Sequence, residues 1–190
     1  MAVFTKRVSA SGDDGHTKAA IGFDSVNSVI YLGSVGGNSY YCFFRFTNVT
    51  VPAGATIISA KITLTAAANR AANTVNVDIY GNDVGDATAP TSTAEYNALA
   101  ETTAKVDWDA ISAWTADTEY DTPDISDIVQ EIVDRGDFSS GNAMQFKIKD
   151  SGSTASVYRE SYSFDGSAAK AALLTINYTI GAAQGTMVWF

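Results

Sequence analysis

The chain has 190 residues and a formal net charge of −9, with 21 acidic against 12 basic side chains, one histidine and one cysteine. This length suits one domain burying roughly 70% of its unfolded surface, and the net negative charge argues against unaided binding to nucleic acid or anionic membranes. The lone cysteine, Cys42, excludes an internal disulfide, and no run approaches the roughly 18 apolar residues of a membrane span.

No apolar run follows Lys6 and Arg7, so no secretory signal is expected. A first strand is expected near residues 3–9, followed by SGDDG at 11–15, which reads as turn chemistry, and by a second strand near 28–33. His16, among Asp, Gly and Thr, reads as a solvated loop histidine rather than a base or metal ligand.

Alternation is strict in YYCFFRFT: Cys42, Phe44 and Phe46 share one face, and Tyr41, Phe43 and Arg45 the other. Aromatic residues on both faces predict a strand covered on both sides. Pro52 and Gly54 make the next turn, and TIISAKITLTA then places Ile58, Ala60, Ile62 and Leu64 inward. Val75, Val77 and Ile79 alternate in the same way, ahead of the turn sequence GNDVGD.

Residues 86–120 form a long excursion, with a short helix expected around Thr93–Ala100 and two tryptophans, Trp108 and Trp114. Such an excursion reads as a structured loop. Next comes one amphipathic helix, about 123–135. Ile125, Ile128, Val129, Ile132 and Val133 fall on one stripe. Thr122 is placed to cap it, Pro123 suits its first turn, Glu131 is spaced to pair with Arg135, and Gly136 is placed to end it in a left-handed conformation. Strands then follow at Met144–Lys149, near 155–163 and at Leu174–Tyr178.

Many short strands and one clear helix predict a mainly β fold, an antiparallel jelly-roll-type sandwich over residues 1–180 with the helix covering an end or open edge. Residues 181–190 are expected to form a tail with an apolar tip.

Several segments carry a family resemblance. They are SGDDG at 11–15, YLGS at 31–34, FRFTNVTVPAGATIISAKITLTA at 44–66, TTAKVDWD at 102–109, TPDISDIVQEIVDRGDFSSGNA at 122–143 and ALLTINYT at 172–179. In this order they resemble the carbohydrate-binding-like β-sandwich modules of the disaggregatase-related and DNRLRE-type superfamily, found in bacterial extracellular proteins and phage structural proteins. The resemblance implies the sandwich fold and brings no catalytic residues with it.

The sequence offers little equipment for catalysis. It has no G-x-S-x-G elbow, no glycine-rich phosphate loop and no H-E-x-x-H. With 21 acidic residues some carboxylate pair will always suggest a glycosidase, so that signal is uninformative. Asp13 and Asp14, or Asn82, Asp83 and Asp86, have the oxygen atoms a Ca²⁺ site would use, but turn chemistry is the favoured reading at both places. No other cofactor is expected.

Exposed aromatics stacked on sugar rings would use Trp108, Trp114 and Tyr120, with Tyr40 and Tyr41 as lesser candidates. Tryptophans in a structured loop more often anchor it to the core. The sequons at Asn48 and Asn177 matter only in a glycosylating secretory route.

The tip Met187, Val188, Trp189 and Phe190 either packs on its own sandwich or docks on a partner. The expectation is a non-enzymatic structural protein of a virion, a phage head decoration or a tail or fibre part. It would contact other virion proteins and self-associate. The alternative is a carbohydrate-binding or adhesive module at a bacterial cell surface.

Overall fold

The structure is a computed structural model, and it describes residues 1–18, 22–71 and 73–180. It is mainly β, and all its strand pairs are antiparallel. One sheet has four strands in the order β1 (Ala2–Arg7), β12 (Leu173–Thr179), β6 (Thr56–Thr65) and β9 (Glu119–Asp121).

The larger sheet has eight strands. Its main path is β11 (Tyr158–Tyr162), β4 (Val29–Val35), β5 (Asn38–Phe46), β10 (Met144–Asp150), β7 (Val77–Asn82) and β8 (Glu101–Trp108). Strand β5 shares its second edge between β4 at residues 38–40 and β2 (Asp14–Lys18) at residues 40–44, and β3 (Phe23–Asp24) pairs with β2.

The inward rows supply the shared core. Cys42, Phe44 and Phe46 of β5, Met144, Phe146 and Ile148 of β10, Ile62 and Leu64 of β6, and Leu174 and Ile176 of β12 are all buried in one cluster. The period-2 pattern reports these faces directly.

Ile58 departs from the pattern. It is exposed, and Ile57 is buried in its place. The pairing of β12 with β6 shifts at Asn177/Tyr178, so Asn177 faces Ser59 while Tyr178 faces Ile57. The extra residue of the bulge reverses the alternation for its neighbour.

The other face of the large sheet is covered too. Phe43 is buried, stacked on Phe23 at 5.7 Å and packed against Tyr96 at 6.3 Å, so α1 (Thr93–Ala98) and the segment around β3 roof this face. Ser92 caps α1 by accepting from the Glu95 amide. Under this roof Gln145 and Lys147 are buried despite their polarity.

The amphipathic helix α2 spans Ser126–Val133 and buries Ile128, Val129, Ile132 and Val133 against β6, β7 and β8. Gly81 makes the close approach possible, because a Cβ there would lie 2.8 Å from side-chain carbons of both Ile128 and Ile132.

The helix is shorter than its predicted 123–135. Thr122 is not its cap: its Oγ1 accepts from the Ile62 amide at 3.1 Å. Asp124 Oδ1 does two jobs, accepting from Ser126 N at the helix start and from Ala60 N on β6. Gln130 then accepts from Ile57 N and donates to Ala55 O. Side chains from residues 122–130 thus complete the edge of β6 where β9 stops, and this demand outweighs ideal capping.

Two further helix expectations fail in the same way. Glu131 accepts from the Thr103 and Ala104 amides of β8 instead of pairing with Arg135, and Gly136 is not left-handed.

Candidate functional site

The excursion at 86–120 is more ordered than a loop. It contains α1 and the full strand β8, which pairs with β7, and it ends within β9, which pairs with β6. Trp108 therefore sits at the end of a strand, half-buried.

Trp114 is only 2% exposed. Its backbone pairs with Arg70, and its ring stacks face to face on Tyr120, with centroids 5.0 Å apart and planes 9° from parallel. Trp108 lies 6.4 Å away, and the Tyr120 hydroxyl accepts from the Thr115 amide. The face that a sugar would need on Trp114 is already taken, so Trp114 anchors the loop. Trp108 and Tyr120 are the two members of the trio that keep some exposure.

Arg159 of β11 is the second anchor of this region. It is fully buried with no carboxylate partner among the described residues, and its guanidinium donates to the carbonyls of Ser112, Ile111, Asn73 and Tyr158. Burial lowers its pKa, with Arg70 adding repulsion. Arg70 itself pairs with Glu160 at 2.9 Å and lies over the Tyr158 ring. No local pattern in the sequence marks Arg159, because its partners come from three separated segments.

The carboxylates considered for Ca²⁺ have protein partners. Asp13 pairs with Arg45 at 2.6 Å, Asp83 pairs with Arg135, and Asp86 Oδ1 accepts from the Ala143 amide at 2.8 Å. Asp14 is fully buried at the start of β2. One of its oxygens accepts from the Phe164 amide and the other has no partner among the described residues, and burial pushes its pKa up to about 7. Among the described residues no group of three or more His, Cys, Asp or Glu side chains is arranged to hold a metal.

His16 is not a solvated loop residue. It is buried on β2, with its ring 5.2 Å from that of Tyr31 and 5.1 Å from that of Tyr40. Burial lowers its pKa to about 4, opposed by Asp24, and its Nδ1 has no partner among the described residues. These rings floor a hollow of about 320 Å³ that Lys18, Phe23, Asp24 and Asn27 complete. Asp24 and Asn27 are engaged in turn hydrogen bonds of their own.

The remaining feature lies on the outer face of the four-stranded sheet. Val3 and Ile58 are exposed there, with Met1 and Ile180 exposed at the neighbouring strand ends. Register makes Val3 a neighbour of Asn177, and Asn177 a neighbour of Ser59, which follows Ile58. Beside this patch a hollow of about 390 Å³ is lined by Ser59, Lys61, Asp121, Thr122, Asp124 and Asn177. The tip Met187, Val188, Trp189 and Phe190 lies outside the described residues.

Fold and surface together define a mainly β protein with two antiparallel sheets. No known family model and no curated protein sequence matches this chain. Among the described residues no helix is long and apolar enough to cross a membrane.

Proposed function

We propose that this protein is a non-enzymatic structural component of a virion, a phage head decoration or a part of a tail or fibre. In this reading it acts through contacts with other virion proteins and with itself. The observation that carries the reading is how the polar residues are used. The acidic side chains of SGDDG and GNDVGD and the single histidine serve strand pairing, loop anchoring and ring packing, which suits a rigid brick. The tip Met187–Phe190 supplies the apolar contact to a partner.

Purified particles test this. The full chain should be a stoichiometric particle protein, and a variant lacking residues 187–190 should fold and yet fail to incorporate. Absence of the full chain from particles would overturn the proposal, and unchanged occupancy of the shortened variant would remove the role of the tip.

A second reading, a glycan-binding or adhesive module, is supported by the part-exposed Trp108 and Tyr120, which both pack against Trp114. A glycan array comparing the wild type with Trp108→Ala tests it: binding lost in the variant supports the reading, and silence with the wild type removes it.

A further inference from the structure

We propose that the hollow between Arg70 and Arg159 is a seat for one small oxyanion, a phosphate, a sulfate or the carboxylate of a small acid. The inference goes beyond the structural role proposed above and does not depend on it.

The starting point is an unmatched buried charge. Of the described lysines and arginines, Lys147 and Arg159 are the two that are buried. Lys147 has a carboxylate, Glu101 at 2.8 Å, whereas Arg159 has only carbonyl oxygens among the described residues. Carbonyl dipoles satisfy N–H groups without cancelling the charge, and a buried cation is ordinarily matched by an anion.

Arg70 adds to the imbalance. Its Nη2 pairs with Glu160 at 2.9 Å and its guanidinium lies 4.1 Å from the centroid of the Tyr158 ring, while its Nε is buried without a partner among the described residues. Two cations share one carboxylate here, which leaves a positive charge on a chain whose net charge is −9. Burial first, and the neighbouring Arg70 second, lower the Arg159 pKa, so the two like charges act on each other. An anion between them relieves that repulsion.

The lining suits such a ligand in charge, donors and size. Asn69, Arg70, Asn73, Ser156, Tyr158 and Arg159 line the hollow, and among the described residues no carboxylate does. A guanidinium carries five N–H donors. Arg159 uses one from Nε, one from Nη1 and two from Nη2, so one on Nη1 is left over. Asn69 accepts from the Ala116 amide through Oδ1, which leaves its Nδ2 hydrogens to donate. An oxyanion accepts several such bonds at once, and those from a guanidinium are the strong kind. The volume, about 220 Å³, lies below the roughly 300 Å³ at which sites for drug-sized ligands begin, so the occupant is a compact ion or a small acid.

The walls are held without a ligand. Arg159 Nη2 donates to Asn73 O, the Thr154 amide to Thr74 O at 3.0 Å and the Ser156 amide to Ser34 Oγ at 3.3 Å. Arg70 is fixed by its backbone pairing with Trp114. A seat built in advance loses little freedom when it fills.

Full-length purified protein tests this by titration with phosphate, sulfate and acetate, each against chloride at fixed ionic strength so that screening stays constant. Calorimetry should show saturable one-to-one binding of at least one of the three. In NMR spectra the Nε–H resonances of both Arg70 and Arg159 should move along the same curve. Comparing the three anions separates a tetrahedral ligand from a carboxylate.

Ser156 places a charge at the rim without disturbing the arginines. It is exposed, with a left-handed φ of 62°, a conformation that aspartate and asparagine tolerate, so variants with either should fold. Ser156→Asp should weaken binding by about tenfold or more, while Ser156→Asn should stay within about threefold of wild type. Absence of saturable binding by all three anions would overturn the seat. Binding that leaves either arginine resonance in place would do the same, as would equal affinity in the two Ser156 variants. The resonance shifts are read on the wild type and decide the matter even where a variant does not fold.

Discussion

Asp14 and His16 stand two residues apart on the same face of β2, the one a buried acid with an ordinary partner on only one oxygen, the other a buried base between two tyrosine rings. Burial moves their pKa values in opposite directions, Asp14 up from 3.8 to about 7 and His16 down from 6.5 to about 4. The contribution of Asp14 to stability is complete below pH 3.8 and is lost as pH rises to about 7. The contribution of His16 is complete above pH 6.5 and is lost as pH falls to about 4. Between about pH 4 and 6.5 the two slopes oppose each other, each worth up to about 1.4 kcal/mol per pH unit.

Removing one titration exposes the other. Relative to wild type, Asp14→Asn should become progressively more stable as pH rises from 4 to 6.5, because only the histidine slope remains. His16→Phe, which keeps the ring packing, should show the reverse. Urea midpoints across this range are the measurement, and a slope change of the same sign in both variants would reject the opposing titrations.

Arg159 should be irreplaceable by another cation. Arg159→Met leaves the buried carbonyls of Ile111, Ser112 and Asn73 without their donor, a loss of about 3–5 kcal/mol. Lysine presents one compact ammonium where the guanidinium fork reaches four carbonyls. Arg159→Lys should therefore recover less than half of that loss in chemical denaturation, and full recovery would show that charge alone suffices.

The two tryptophans of the excursion should separate in stability. Trp114→Ala removes a buried ring stacked on Tyr120 and should cost about 3–5 kcal/mol. Trp108→Ala, at a half-buried strand end, should cost clearly less. Equal losses in thermal and urea unfolding would mean that Trp108 is as deeply anchored as Trp114.

Asp124 closes the edge of β6 rather than serving the helix alone. Asp124→Ala leaves the Ala60 and Ser126 amides without their acceptor, at a cost of about 1–3 kcal/mol. Amide hydrogen exchange should accelerate at Ala60 and Ser126 while Phe44 and Phe146, across the core, stay protected. Unchanged exchange at Ala60 would reject this role.

The sequence by itself determined the rows that line the core. Cys42, Phe44 and Phe46, and likewise Ile62 with Leu64 and Met144 with Phe146, are legible because side chains alternate across a strand and apolar ones collect on the buried face. The stripe of α2 is legible for the same local reason at the helical period. Trp108, Trp114 and Tyr120 were marked by residue type alone, which says that an aromatic residue is present and nothing of what lies on its face.

Tertiary structure decided the rest. The polar strand DGHTK has no apolar period, and it is held by backbone pairing to β5 and β3. The extended ETTAKVDW strand shows only a weak row of Thr102, Ala104, Val106 and Trp108, and needs β7 as its partner. Ile58 faces out because a bulge between two strands distant in sequence shifts their register. Thr122 and Asp124 serve β6 because unpaired strand amides cost more than an imperfect helix cap. Periodicity reports what a segment wants to bury, whereas long-range pairing decides which hydrogen-bonding groups remain to be satisfied and which side chains satisfy them.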